Sequence, residues 1–187
     1  MSQIPFPENA TSSERKVNWQ KIAEISDTDF GFDTPRQKTG NTRFCARVLL
    51  KNEKGEFCVV KSEKYGFLQL PGGGIEEGEN ITEALRRETR EETGWLITEI
   101  QPIGYIIENR NDVRNKRPFD QSISYVFSAL PEKFVGTNYM EDEIEIGFAP
   151  VWMPLKDIIA ELRQSEGHIN SYSGCFSNRR DLSIAEY

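Results

Sequence analysis

A single histidine, His168, and only three cysteines set the first limits on this sequence. With one imidazole, lodged in a polar stretch near the end of the chain, histidine-centred catalysis and zinc ligation have little to work with, and His168 reads as a surface residue. Cys45, Cys58 and Cys175 are too few and too scattered for a disulfide framework or a thiolate metal site. The first two lie in strand-like text and read as small core residues. Long apolar runs are lacking too: none approaches the roughly 18 residues that cross a bilayer. The opening MSQIPFPENA has neither the basic start nor the apolar core of a signal peptide, so the expectation is a cytoplasmic protein without membrane contact. Positive charge is also scarce. A formal net charge of −7 argues against extended nucleic-acid binding, which relies on basic stripes along the phosphate backbone. An anionic substrate would need local help from a bound cation or a few arginines.

What is present is the composition of an ordinary globular chain, 37% hydrophobic and 28% charged. Its 187 residues suffice for one domain with a core and not for two. Residues 1–40 read as an N-terminal segment and connector, 41–165 as the main domain and 166–187 as a C-terminal tail. Within the first segment, SERKVNWQKIAEI predicts a short helix capped by Ser13, with Val17, Ile22 and Ile25 on its apolar side. From Arg43 the text turns to strands. RFCARVLLKN and EFCVVKSE, separated by EKG, predict an antiparallel hairpin. FLQL, LITEIQPIGYIIENR, SISYVFSAL and FAPVWMPL predict further strands, and LKDIIAELRQ has apolar residues at helical spacing. Strands and helices in this order predict an α/β fold, a mixed sheet with helices packed on its faces.

Between those strands lies ENITEALRRETREETG. Asn80 stands at a helix N-cap with Glu83 three residues on, and Gly94 supplies the stop. On such a helix Glu88, Glu91 and Glu92, at spacings of three and four, share a face. Like charges so placed repel by a few tenths of a kcal/mol per pair (roughly 0.2–0.5) and call for compensation. Arg87 and Arg90 could supply it on a solvated face. A hard divalent cation would supply more, because Mg²⁺ and Mn²⁺ favour several carboxylate oxygens and suit polyphosphate chemistry. The preceding LPGGGIEEGE ends a strand in three glycines, where the backbone can approach a ligand, and a carbonyl of Gly72 or Gly73 could join the coordination sphere.

Read from Gly73, the spacing is Gly, five residues, Glu79, seven residues, then Arg87-Glu88-Thr89-Arg90-Glu91-Glu92-Thr93-Gly94-Trp95, which resembles the signature box of the Nudix hydrolases. Seven positions agree by identity: Gly73, Glu79, Arg87, Glu88, Glu91, Glu92 and Gly94. With residue usage near 5–7%, a chance match at one start point is on the order of 10⁻⁸. Thr89 departs from the pattern, standing where the family favours a bulky aliphatic side chain, and Trp95 takes the other hydrophobic slot. The likeness extends from about Arg43 to about Gln164, through EIGFAPVWMPL.

The resemblance implies a Nudix-type α/β/α sandwich that hydrolyses a nucleoside diphosphate linked to another moiety, using Mg²⁺ or Mn²⁺. Carried onto matching positions, it makes Glu88, Glu91 and Glu92 metal ligands, with the Gly72 carbonyl a further one. Arg87 would orient the carboxylates, supported by Glu79. The base that activates water is left open between a box glutamate and a later loop, where MEDEIEIGF offers Glu143 first and Glu145 second. Arg110, Arg114 and Arg117, in ENRNDVRNKRPFDQS, form a local basic patch suited to substrate phosphates, or else a solvated loop. Tyr65, Phe67, Tyr105 and Phe119 could stack on a base or belong to the core. The substrate stays unnamed. The competing expectations are a catalytically silent nucleotide-sensing module on the same fold and a prenyl diphosphate isomerase, the latter lacking a supported catalytic cysteine. The resemblance also admits a homodimer.

Overall fold

The computed structural model describes residues 4–32, 40–64, 66–110, 119–139, 144–145, 147–169 and 171–187. Its elements run α1 (Ser12–Lys16), β1 (Lys21–Ser26), β2 (Thr42–Leu50), β3 (Glu56–Ser62), β4 (Leu68–Gln69) and β5 (Gly72–Gly74). They continue through α2 (Ile81–Thr93), β6 (Trp95–Asn109), β7 (Gln121–Phe134), β8 (Phe148–Pro154), α3 (Leu155–Ser165) and α4 (Tyr172–Glu186). Two sheets result. One is mixed, in the order β1-β6-β7-β2-β5, with β1 parallel to β6 and β2 parallel to β7; the other is antiparallel, in the order β4-β3-β8.

The period of two along each strand sorts side chains to opposite faces. Val48 and Leu50 of β2, with Ile123, Tyr125 and Phe127 of β7, pack in one core cluster with Ile81 and Leu85 of α2. Val126 of β7, Ile106 of β6 and Val59 of β3 belong to a second cluster with Ile158 and Leu162 of α3 and Phe176 and Leu182 of α4. Helices thus cover both sides of the strands, as the α/β/α expectation requires. On the second face the character changes along the strands. Paired positions across β2, β7 and β6 read Arg43, Ser122 and Glu108, and one step further Cys45, Ser124 and Ile106. Arg47, paired with Val126, follows, so charged side chains of β2 stand on both sides of Cys45 on that face.

Three local expectations are corrected. The first helix is capped by Thr11 rather than Ser13 and stops at Lys16. Lys21–Ser26 instead extends the mixed sheet, because Ile25 and its neighbours gain more burial beside β6 than on an isolated helical turn. The hairpin between β2 and β3 reduces to a single bridge, Lys51 to Phe57, after which the strands enter different sheets. β2 is buried on both faces and takes β7 and β5 as partners, a choice made by long-range packing rather than by the turn. The tail contains a 15-residue helix, α4. Its buried residues include Asn178, Arg180 and Asp181, so no apolar periodicity announced it. Among the described residues no helix is long and apolar enough to cross a membrane.

Candidate active site

The glutamate-bearing helix is fixed at both ends by its own sequence. Asn80 Oδ1 accepts the Glu83 N–H at 3.0 Å while the Glu83 carboxylate accepts the Asn80 N–H at 2.9 Å. This reciprocal cap satisfies two donors that a helix start leaves open. At the other end Gly94 adopts φ 76° and donates to the Arg90 carbonyl; a side-chain carbon there would lie 2.6 Å from the Phe134 ring. The last turn is then tied to the chain after β7. Asn138 N–H donates to the Glu91 carbonyl at 2.8 Å, and the Tyr139 hydroxyl to the Glu92 carbonyl at 2.7 Å. Trp95 packs edge-on against Phe134 and Trp152, 5.4 and 6.1 Å between ring centroids. Thr89 is fully buried, its hydroxyl donating to the Leu85 carbonyl at 2.6 Å.

Arg87 sits at the centre. Its Nε and Nη2 bond the two oxygens of Glu79 at 2.7 and 2.9 Å, and Nη2 also reaches the Gly74 carbonyl at 2.9 Å. Nη1 donates to Glu88 at 2.9 Å and to Glu91 at 3.2 Å. A guanidinium has five N–H donors in a rigid fork, and here the fork joins the glycine strand, the intervening loop and two carboxylates of α2. Its bond to Glu79 holds Arg87 more firmly charged than usual and holds the Glu79 carboxyl below its ordinary range.

Glu88 and Glu92 face the glycines. A side-chain carbon on Gly73 would lie 2.4 Å from the Glu88 carboxylate, so only glycine leaves that approach open. Burial raises the Glu88 pKa, opposed by its bond to Arg87. Glu92 is 6% exposed and accepts the Gly72 N–H at 2.7 Å. The carbonyl of the same glycine accepts from Arg47 Nη1, a buried side chain of β2. Gly72 itself holds φ 129°, and a side-chain carbon on it would come within 2.1 Å of the Ala46 carbonyl oxygen.

Among the described residues no three acidic side chains converge closely enough to enclose an ion. Glu88 and Glu91 share Arg87, and Glu92 is turned on to Gly72. The chemistry of the set still fits a hard divalent cation. It offers carboxylates on one helix face, close approach of the Gly73 backbone to the Glu88 carboxylate, and in Glu88 a desolvated carboxylate that gains from a positive partner. A carbonyl has two lone pairs, so Gly72 retains acceptor capacity beside Arg47.

The remaining candidates are dispersed. Arg110 is buried, bonds Glu108 at 2.7 Å, and lies over the Phe176 ring at 4.6 Å. Arg114, Arg117, Glu143 and Tyr65 lie outside the described residues. Glu145 is exposed and bonds Lys64 at 3.1 Å. Phe67 lines a pocket with Leu68 and Ile169, Phe119 lies under Arg43 at 5.7 Å, and Tyr105 packs on the first core cluster. Two residues of the glycine-strand side escaped the sequence reading, Arg43 and Arg47. The signal was there: a charged residue amid a run as apolar as FCARVLL is rarely buried without a task.

A mixed sheet between helices, with a glycine strand feeding a helix whose glutamates surround one arginine, defines a carboxylate-bearing loop–helix site. The chain belongs to the Nudix family, for the NUDIX domain matches residues 41–173. Over 49 residues it is 53% identical to the nucleoside triphosphatase NudI of Escherichia coli O139:H28, and equally to that of Shigella flexneri. That stretch is 25% of this chain, and it spans about a third, 32%, of the length of these relatives. Among solved structures, a NUDIX hydrolase from Nitrosomonas europaea superposes with TM-score 0.52 at 19% identity, covering 79% of this chain and 97% of its own. A mutator MutT protein from Bacillus halodurans superposes with TM-score 0.51 at 18% identity, covering 64% and 72% respectively. These likenesses establish the fold.

Proposed function

We propose that this chain is a metal-dependent pyrophosphohydrolase that cleaves a phosphoric anhydride bond in a nucleotide, a nucleoside diphosphate linked to another moiety. The observation that carries the reading is the Arg87 hub, which ties Glu79, Gly74, Glu88 and Glu91 into one loop–helix unit. Glu88, Glu91 and Glu92 would hold Mg²⁺ or Mn²⁺, with the Gly72 carbonyl beside them. When bound, the cation would neutralise phosphate charge and lower the pKa of water. Arg87 orients the carboxylates, and Glu79 restricts Arg87 to one rotamer, so that less reorganisation is needed when substrate arrives. The base is Glu143 or a box glutamate. The linked moiety includes phosphate itself, in keeping with relatives that are nucleoside triphosphatases.

The test is incubation of purified protein with Mg²⁺ or Mn²⁺ and a panel of nucleoside triphosphates and nucleoside diphosphate derivatives, with products identified by mass. Cleavage at an anhydride bond is expected, abolished by chelator and reduced about 10²-fold or more in Glu91→Gln and Glu92→Gln, the scale of losing one preorganised charge contact. Undiminished turnover in both variants would sink the metal assignment. Tight binding without cleavage across the panel would favour a nucleotide-sensing module.

A further inference from the structure

A cavity of about 140 Å³ lies between the second sheet face and α4. Four guanidinium groups line it: Arg43 and Arg47 from β2, Arg110 just past β6, and Arg180 from α4. One carboxylate, Glu108, stands among them. Arg47, Arg110 and Arg180 are 8%, 7% and 4% exposed, so their charges are largely out of water. Arg110 is clamped between Glu108 and the Phe176 ring, and Arg180 is chelated by Asp181 through Nε at 2.8 Å and Nη2 at 3.2 Å. Nε of Arg47 and Nε of Arg110 are buried without a hydrogen-bond partner. Burial, and then the charge of Arg180, push the Arg47 pKa down, while Asp181 and Glu92 act in the opposite direction. Buried cations of one sign are costly unless a counter-charge joins them.

We infer that this cavity is a phosphoryl-binding subsite, completed by Arg180 of α4, a helix that lies almost wholly beyond the NUDIX match at residues 41–173. A tetrahedral dianion takes N–H donors from several directions, as guanidinium forks supply them. The volume exceeds the ~30 Å³ share of one water several times over. The subsite borders the glycine strand: Arg47 holds the Gly72 carbonyl, and the Arg43 guanidinium would lie 3.0 Å from a side-chain carbon on Gly74. A phosphoryl group seated there belongs to the same substrate whose anhydride meets α2. That placement rests on the hydrolase reading, whereas binding of the anion does not.

The test uses the full chain in chelator, with sodium orthophosphate as the probe and sodium chloride and sodium acetate at matched ionic strength as controls. Orthophosphate is expected to raise the melting temperature beyond both controls. Arg180→Lys keeps the charge and loses the fork, and Arg43→Gln alters an exposed residue that leaves Asp181 paired. Each is expected to weaken orthophosphate binding about tenfold or more, as for loss of a hydrogen bond to a charged group. No stabilisation beyond chloride, or stabilisation by acetate equal to that by orthophosphate, overturns the subsite. So does binding in both folded variants within twofold of the parent. If nucleotides are cleaved with unchanged KM in Arg43→Gln and Arg180→Lys, the subsite fails and the hydrolase reading stands. If orthophosphate binds, is lost in the variants, and no nucleotide is cleaved, the subsite stands and the hydrolase reading fails.

Discussion

Arg47 and Glu92 hold the two ends of one residue, the guanidinium bonding the Gly72 carbonyl and the carboxylate bonding the Gly72 N–H. An arginine of β2 and a glutamate of α2 thereby fix the same glycine, and the geometry separates two neighbouring positions. Gly72→Ala adds a carbon 2.1 Å from backbone at φ 129°, so it is expected to destabilise by about 1–3 kcal/mol or more, measured by urea denaturation. Gly73→Ala meets only the end of the Glu88 side chain. It is expected to fold with a smaller loss and to lose hydrolysis. Equal destabilisation by both would contradict this account.

The Arg87 fork predicts that Arg87→Lys is not conservative. An ammonium cannot bridge both Glu79 oxygens while reaching Glu88 and Glu91. Metal affinity or turnover is expected to fall about 10–100-fold, read by calorimetric titration of Mn²⁺ and by product formation.

Two carboxylates of the site should respond to pH with opposite sign in metal-free protein. The folded-state pKa of Glu79 is lowered by Arg87, so its stabilisation is present above the ordinary value of about 4.3 and lost as pH falls through the folded one. Glu88 is raised by burial, so its favourable contribution is present below the ordinary value and lost as pH rises through the folded one. Melting temperatures in chelator should therefore show Glu79→Gln less stable than the parent at neutral pH, converging in acid. Glu88→Gln should become more stable than the parent as pH rises. Gaps that change with pH in the same direction would refute the assignment.

Thr89 places a hydroxyl in a fully buried slot, bonded to a carbonyl of its own helix. Thr89→Val removes that polar group while keeping the branched shape. A stability change of no more than about 1 kcal/mol is expected, in the stabilising direction, by thermal or urea unfolding.

The thiols should divide by burial. Cys58 is fully buried and its pKa is pushed up to about 12, and Cys45 is 3% exposed. A disulfide reagent at mildly alkaline pH should modify Cys175, which is only partly buried, before either of them. Rapid labelling of Cys58 in folded protein would contradict the packing of β3.

The loop–helix site was legible because its determinants are local. The Asn80 cap, the Gly94 stop and the glutamate spacing lie within one helix and its flanks, where chain connectivity alone sets who is near whom. The helix α3 was legible from the spacing of its apolar residues for the same reason. The split of β2 from β3 was not, because a turn such as EKG permits a hairpin while burial on both faces of β2 selects β7.

By itself, then, the sequence determined the family, the helix with its glutamates, and the arginine that supports them, all through residues within reach of one another along the chain. Tertiary structure alone decided that Arg43, Arg47, Arg110 and Arg180 meet at one cavity. Their separation along the chain carries no periodic signal. Only the pairing of β2 and β6 with β7, and the packing of α4 across them, brings four like charges together.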